Sequence, residues 1–160
     1  METISITSTF TVYPSVQQLP PDVAQLMQLA IDVRVQSYAP YSRFHVGTAL
    51  MLDNGKVVVG SNQENAAYPS GLCAERVAIF HAGAVYPKAK ILKMAITAAS
   101  EQRLVSEPIP PCGACRQSIA EYELTQDTPI EIWFMGETGT VYKSDSLKNL
   151  LPMVFGGKDL

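Results

Sequence analysis

Two short segments hold residues whose types and spacing can bind a metal and do chemistry on it: Cys73-Ala74-Glu75-Arg76 and Pro110-Pro111-Cys112-Gly113-Ala114-Cys115-Arg116. Both cysteine groups fall where the local pattern starts a helix. Free backbone N–H groups and the positive end of a helix dipole therefore point at the sulfurs and favour thiolates. Cys112 and Cys115 share one face of a first helical turn, whereas Cys73 has to arrive from the other helix start. Three sulfurs at ~2.3 Å leave the fourth tetrahedral position of a zinc ion open, which distinguishes a catalytic site from a closed structural one.

Glu75 gives that open position a use. A carboxylate beside it can take a proton from an activated water and return it to a leaving group. In mid-helix, positions 73 and 75 would diverge by about 200°, so the arrangement requires Cys73 at the loop-to-helix junction. Three thiolates on Zn²⁺ carry an excess negative charge, which has to be drawn off the sulfurs. Arg76 is the expected hydrogen-bond donor to them, with Arg116 as a second nearby cation. His81 lies ~12 Å beyond Cys73 along the same helix, out of reach of a shared metal. His45 sits on a strand, where spacing alone does not exclude it from the site; a satisfied or surface histidine is the plain alternative for both. Two other readings of the cysteines stay open: a thioredoxin-like redox pair, which leaves Cys73 unexplained, and half of a zinc knuckle, which lacks a fourth ligand.

The elements that must position these residues follow from composition and pattern. The chain has 160 residues, 47% of them hydrophobic and 17% charged, the size of one domain with one core. That balance excludes intrinsic disorder. With 12 Lys+Arg against 15 Asp+Glu, a net charge of −3 and no basic run, no nucleic-acid partner is expected. No apolar run reaches the ~20 residues of a membrane span, so no membrane partner is expected either. Met1 to Ser8 carry an acid where a signal peptide wants bases, and three cysteines is an odd number for a secreted disulfide framework. The expectation is a cytoplasmic protein.

Residues 1–21 read as an extended N-terminal arm, and residues 22–160 as a single catalytic domain. Val23, Leu26, Met27, Ala30 and Ile31 mark one buried helical face, with Pro21 suited to the first turn and Pro40 beyond the end. Phe44 to Leu52 and Lys56 to Gly60 form a hairpin around Asn54-Gly55. A helix is expected from Cys73 to about Tyr86, a strand from Ile91 to Ala98, and a helix from Gly113 to about Leu124. Ile130 to Met135 and Thr140 to Lys143 are joined by Gly136 to Gly139, a loop short enough only for an antiparallel pair. A short helix from Asp145 to about Leu151 closes the pattern. Strands alternating with helices mean an α/β layered domain with a mixed sheet.

From about Tyr38 to Phe155 the sequence resembles the small zinc-dependent cytidine deaminases that act on nucleosides. The resemblance rests on Tyr38-Ala-Pro-Tyr-Ser-Arg-Phe44 followed by Val46-Gly47, on Asn62-Gln-Glu64-Asn65-Ala-Ala-Tyr68, on Cys73-Ala-Glu-Arg76, and on Pro111-Cys-Gly-Ala-Cys-Arg-Gln117. It implies a three-layer α/β/α domain whose mixed sheet has five strands, the last two an antiparallel hairpin. It implies one Zn²⁺ per chain on Cys73, Cys112 and Cys115, with Glu75 as the proton shuttle in hydrolytic deamination of cytidine and deoxycytidine, a step of pyrimidine salvage. Asn62 and Glu64 are implied as ribose ligands, Phe44 as an aromatic against the pyrimidine, Ala74 as a further substrate contact, and Phe155 as an aromatic contributed by a neighbouring subunit of a homotetramer. The hairpin at Gly136 to Gly139 fits the nucleoside branch, because polynucleotide editors and the dCMP enzymes place a helix there and usually have His where Cys73 stands. Blasticidin S deaminase shares the Cys-Ala-Glu and Pro-Cys segments, but the Asn62 to Tyr68 string favours an ordinary nucleoside. A non-catalytic zinc-binding module and a thiol redox protein are the alternatives outside this class. The arm before Asp22, the long stretch between Cys73 and Cys112, and His45 depart from the family pattern.

Overall fold

The computed structural model describes residues 1–160. Six strands, β1 (Thr11–Tyr13), β2 (Phe44–Leu52), β3 (Val57–Ser61), β4 (Ile91–Ser100), β5 (Glu131–Met135) and β6 (Val141–Ser144), form one mixed sheet in the order β1-β6-β5-β4-β2-β3. Three helices flank it: α1 (Pro21–Arg34), α2 (Ala74–Val85) and α3 (Gly113–Gln126). The expected five strands are therefore six. The extra one is β1, three residues of the arm that pair antiparallel with β6 and seat Phe10 edge-on against Phe134. The last expected helix is reduced to a 3-10 turn at Leu147–Asn149, with the preceding Ser146 hydroxyl accepting from the Lys148 N–H.

Layering follows from alternation along the strands. Leu50, Leu52, Met94, Ile96, Ile132 and Phe134 pack with Ala78, Ile79, Ile119 and Ala120 on the α2/α3 side. Ala49, Ala95, Trp133 and Met135 pack with Val23, Leu26, Met27 and Ala30 of α1 on the other. Each fully buried Leu, Ile or Met contributes about 1.5–3 kcal/mol. No helix is long and apolar enough to cross a membrane.

The strand order is what brings the two cysteine segments together. β3 and β4 both run antiparallel to β2, so they point the same way, and β4 pairs parallel with β5. The chain leaves β3 toward α2 and leaves β4 toward α3, which puts both helix starts at the carboxyl end of the sheet, where α/β folds form their crevices. Two glycines let the helices lie close. A Cβ on Gly60 would stand 2.6 Å from Ala78 N and 2.7 Å from Ala74 O, so only glycine admits α2 at this depth on β3. A Cβ on Gly47 would stand 2.0 Å from Ala30 O and 2.8 Å from Arg34 N of α1. Both opposing groups are backbone and cannot swing away. Gly47→Ala is accordingly expected to cost about 3 kcal/mol and to lower Tm by roughly 10 °C in a thermal melt.

Candidate metal centre and nucleoside cavity

Cys73 immediately precedes the first turn of α2, and Cys112 immediately precedes that of α3, with Cys115 inside it. Neither Cys73 nor Cys112 makes a side-chain cap. The first intrahelical bonds run from Val77 N to Cys73 O and from Arg116 N to Cys112 O, so the N–H groups of the preceding residues have no helical acceptor and present positive charge at the helix starts.

The three sulfurs converge. Cys73 Sγ lies 3.8 Å from Cys112 Sγ, Cys112 Sγ lies 3.4 Å from Cys115 Sγ, and all three are within 4.8 Å of one another. Sulfurs bound to one zinc at tetrahedral angles stand about 3.8 Å apart. The cluster thus fits the ion on geometry and on donor chemistry, and no histidine joins it. The Nδ1 and Nε2 atoms of His45 are taken by Ser37 and Glu101, and His81 is exposed on α2.

Around the sulfurs the charges are arranged as thiolate chemistry requires. Cys73 is held down to about 5, first by hydrogen bonding with Cys115, with Cys112 and Arg76 adding to it against burial. Cys115 is pushed up, because the Cys73 interaction leaves the proton there and burial disfavours a second thiolate. Burial alone would pull Arg76 down, yet hydrogen bonding to Cys73 and the charge of all three sulfurs raise it. Its Nε is buried with no hydrogen-bond partner. Arg116 differs. Its Nε donates to Pro111 O and its Nη1 to Leu150 O, both at 2.8 Å, so it buttresses the Cys112 loop from behind and is not the charge-withdrawing cation its sequence position suggested.

Glu75 sits in the first turn of α2 and is 4% exposed. Burial pushes its carboxyl up to about 7, and the neighbouring Cys73 thiolate pushes the same way. Glu123 on α3 is comparably buried, but its oxygens accept from Ile130 N, Leu147 N and the Ser146 hydroxyl, which makes it a structural pin.

Beside the metal centre opens a cavity of about 470 Å³ lined by Tyr41, Asn62, Glu64, Tyr68, Cys73 and Arg76 among others. Small-molecule sites typically have about 300–1,000 Å³. Asn62 is buried; its Oδ1 accepts from Val46 N at 2.8 Å and its Nδ2 donates to Phe44 O at 2.9 Å. One amide hydrogen and one lone pair remain. Glu64 Oε2 accepts from Tyr41 N at 2.9 Å and Ser42 N at 3.3 Å, which leaves Oε1 uncommitted. Ala74 is fully buried behind Cys73. Phe44 and Phe155 do not line this cavity. Phe44 is half-buried at the start of β2, and Phe155 is 57% exposed, its carbonyl accepting from Gln117 Nε2 of α3. Sequence reasoning did not single out Tyr41 and Tyr68 as cavity walls. Their rings pack edge to face at 6.3 Å, and the signal available was only that each lies inside a motif string.

Residues 21–128 match the family described as "Cytidine and deoxycytidylate deaminase zinc-binding region". The chain belongs to that family. Among relatives of this deaminase-family chain, the cytidine deaminase of Halalkalibacterium halodurans is 37% identical over 139 residues, covering 87% of this chain and 98% of the relative. The cytidine deaminase of Mycobacterium tuberculosis is 36% identical over 134 residues, covering 82% of this chain and 87% of that protein. The crystal structure of cytidine deaminase from Burkholderia pseudomallei superposes with a TM-score of 0.71 at 38% identity, covering 82% of this chain and 97% of the other. Family membership and the three-sulfur cluster together make the protein a zinc-dependent hydrolytic deaminase with one Zn²⁺ per chain, acting on a small-molecule nucleoside. Three converging sulfurs do not favour a two-cysteine redox pair, and matches at this length do not favour a zinc module without catalysis.

Proposed function

We propose that this chain converts cytidine and deoxycytidine to uridine and deoxyuridine, consuming water and releasing ammonia. The observation that carries the reading is the convergence of Cys73, Cys112 and Cys115 beside buried Glu75, at a cavity whose other wall presents Asn62 and Glu64. Cys73, Cys112 and Cys115 are the residues that would hold the zinc, which when bound supplies a water acidic enough to attack an amidine carbon at neutral pH. Glu75 accepts the proton of the attacking water, delivers it to the ring N3, and passes a second proton to the departing amine so that ammonia leaves neutral. Its raised pKa suits both acceptance and donation near pH 7. Arg76 keeps charge drawn off the sulfurs. The free Asn62 amide hydrogen and Glu64 Oε1 bind the sugar hydroxyls, while Phe44, whose carbonyl accepts from Asn62 Nδ2, steadies that amide from outside the cavity and Ala74 backs Cys73.

Phe155 is offered outward, and in this reading it completes the cavity of a neighbouring copy in a homotetramer; its exposure and its absence from the chain's own cavity support that. Residues 22–160 are the catalytic unit, with the arm as an extension, supported by a family match that begins at residue 21. Cysteines needed as thiolate ligands suit a reducing cytoplasm and a place in pyrimidine salvage.

Incubating the zinc-loaded protein with cytidine should yield uridine and ammonia in equal amounts; no uridine would end the reading. Within it, Glu64→Ala is expected to raise KM for cytidine by about ten- to a hundred-fold with a smaller change in kcat, because a lost charged hydrogen bond to a sugar hydroxyl weakens binding more than it alters the ring chemistry. Steady-state kinetics checks the split.

A further inference from the structure

Glu64 is aimed by a loop. Its Oε2 accepts from the N–H groups of Tyr41 and Ser42, so the placement of the Tyr38–Arg43 segment sets the placement of the carboxylate. Apart from Ala39 that segment is exposed, and Arg43 stands at φ 53°, a conformation that costs a non-glycine residue about 1 kcal/mol or more. Such a segment keeps its shape only if its ends are tied down. Backbone bonds do part of this: Tyr38 N donates to Asn62 O, Glu64 N to Tyr38 O, and Glu101 N to Arg43 O.

A side-chain clamp does the rest. Val46 packs on the α2/α3 side of the sheet and Gly47 faces α1, so His45 projects from β2 on the α1 side, away from the metal centre. There its Nδ1 lies 2.6 Å from Ser37 Oγ and its Nε2 lies 3.0 Å from Glu101 Oε1. Ser37 directly precedes the loop, and Glu101 is the residue whose N–H holds the loop's last carbonyl. One imidazole therefore joins both ends of the segment that aims Glu64. The serine hydroxyl donates to a neutral ring or accepts from a protonated one, and the Nε2 hydrogen is donated to Glu101 in both cases, so the clamp tolerates either charge state.

We infer that Ser37, His45 and Glu101 form a clamp that fixes the Tyr38–Arg43 loop, and through it Glu64, in the geometry that receives the sugar hydroxyls. His45 is thus a positioning residue, and its substrate effect rests on the nucleoside reading above. The test compares the zinc-loaded parent with His45→Phe, Ser37→Ala and Glu101→Gln on cytidine and on 2′,3′-dideoxycytidine, which lacks the 2′ and 3′ hydroxyls. The first two variants should raise KM for cytidine about ten-fold with kcat within about two-fold, and should shrink the preference for cytidine over dideoxycytidine by the same factor. Glu101→Gln, which keeps an oxygen acceptor for the ring, should stay close to the parent. Trypsin cleavage after Arg43, followed by mass spectrometry, should be about ten-fold faster in His45→Phe than in the parent, because the loop opens locally without global unfolding. Equal losses on both substrates, or an unchanged cleavage rate, would overturn the clamp. If the parent itself fails to turn over cytidine, the deaminase reading falls, and the cleavage comparison still decides the clamp.

Discussion

Glu75→Gln is expected to load zinc as the parent chain does and to lose turnover of cytidine by about 10³–10⁴-fold, the upper part of the range for general acid–base groups, because one side chain serves successive proton transfers. The amide fills the same volume in the first turn of α2, so the sulfurs keep their positions. What it cannot do is accept a proton from water. The site has no substitute: the next buried carboxylate, Glu123, is held by three donors further along α3, and Glu64 accepts from the Tyr41 and Ser42 N–H groups. Metal content by atomic absorption and kcat on cytidine are the paired measurements. Parent-like turnover with full metal would remove Glu75 from the mechanism.

That Glu75 and the sulfurs share one site was legible in the sequence because helix-start signals fixed where Cys73 and Cys112 lie along the chain. The Asn54-Gly55 and Gly136 to Gly139 turns fixed two hairpins in the same way, with Gly55 at φ 77° and Gly139 at φ 89°. The sixth strand was not legible. Thr11-Val-Tyr13 has strand-forming residues, but its pairing depends on β6 offering an open edge and on Phe10 finding Phe134, both contacts across more than a hundred residues. The roles of the two arginines show the same limit. Arg76 and Arg116 each adjoin a key residue, yet one lies among sulfurs and the other reaches back to Pro111 and Leu150, a choice made by how α3 packs against the 147–150 turn. His45 is the third case: strand alternation turns it away from Glu75, and only the fold shows Glu101 and Ser37 waiting on that side.

Replacing a sulfur should separate metal binding from folding. Cys112→Ala and Cys115→Ala are both expected to carry less than about a tenth of the parent's zinc after dialysis and to show no measurable deamination, since two thiolates no longer define a tetrahedral site. Their effects on stability should differ. Cys112 is exposed ahead of α3, so its loss should leave a protein that melts where the chelator-treated parent melts. Cys115 is fully buried with Ile119 and Ala120 on the same helix, and truncating it opens a small void costing about 1 kcal/mol beyond the lost metal. Zinc bound only by the folded state adds stability in proportion to the logarithm of its free concentration, so the parent's Tm should rise with added zinc and neither variant's should. A Cys112→Ala protein that melts and turns over like the metal-loaded parent would show that its sulfur, although 3.4 Å from Cys115 Sγ, is not a ligand.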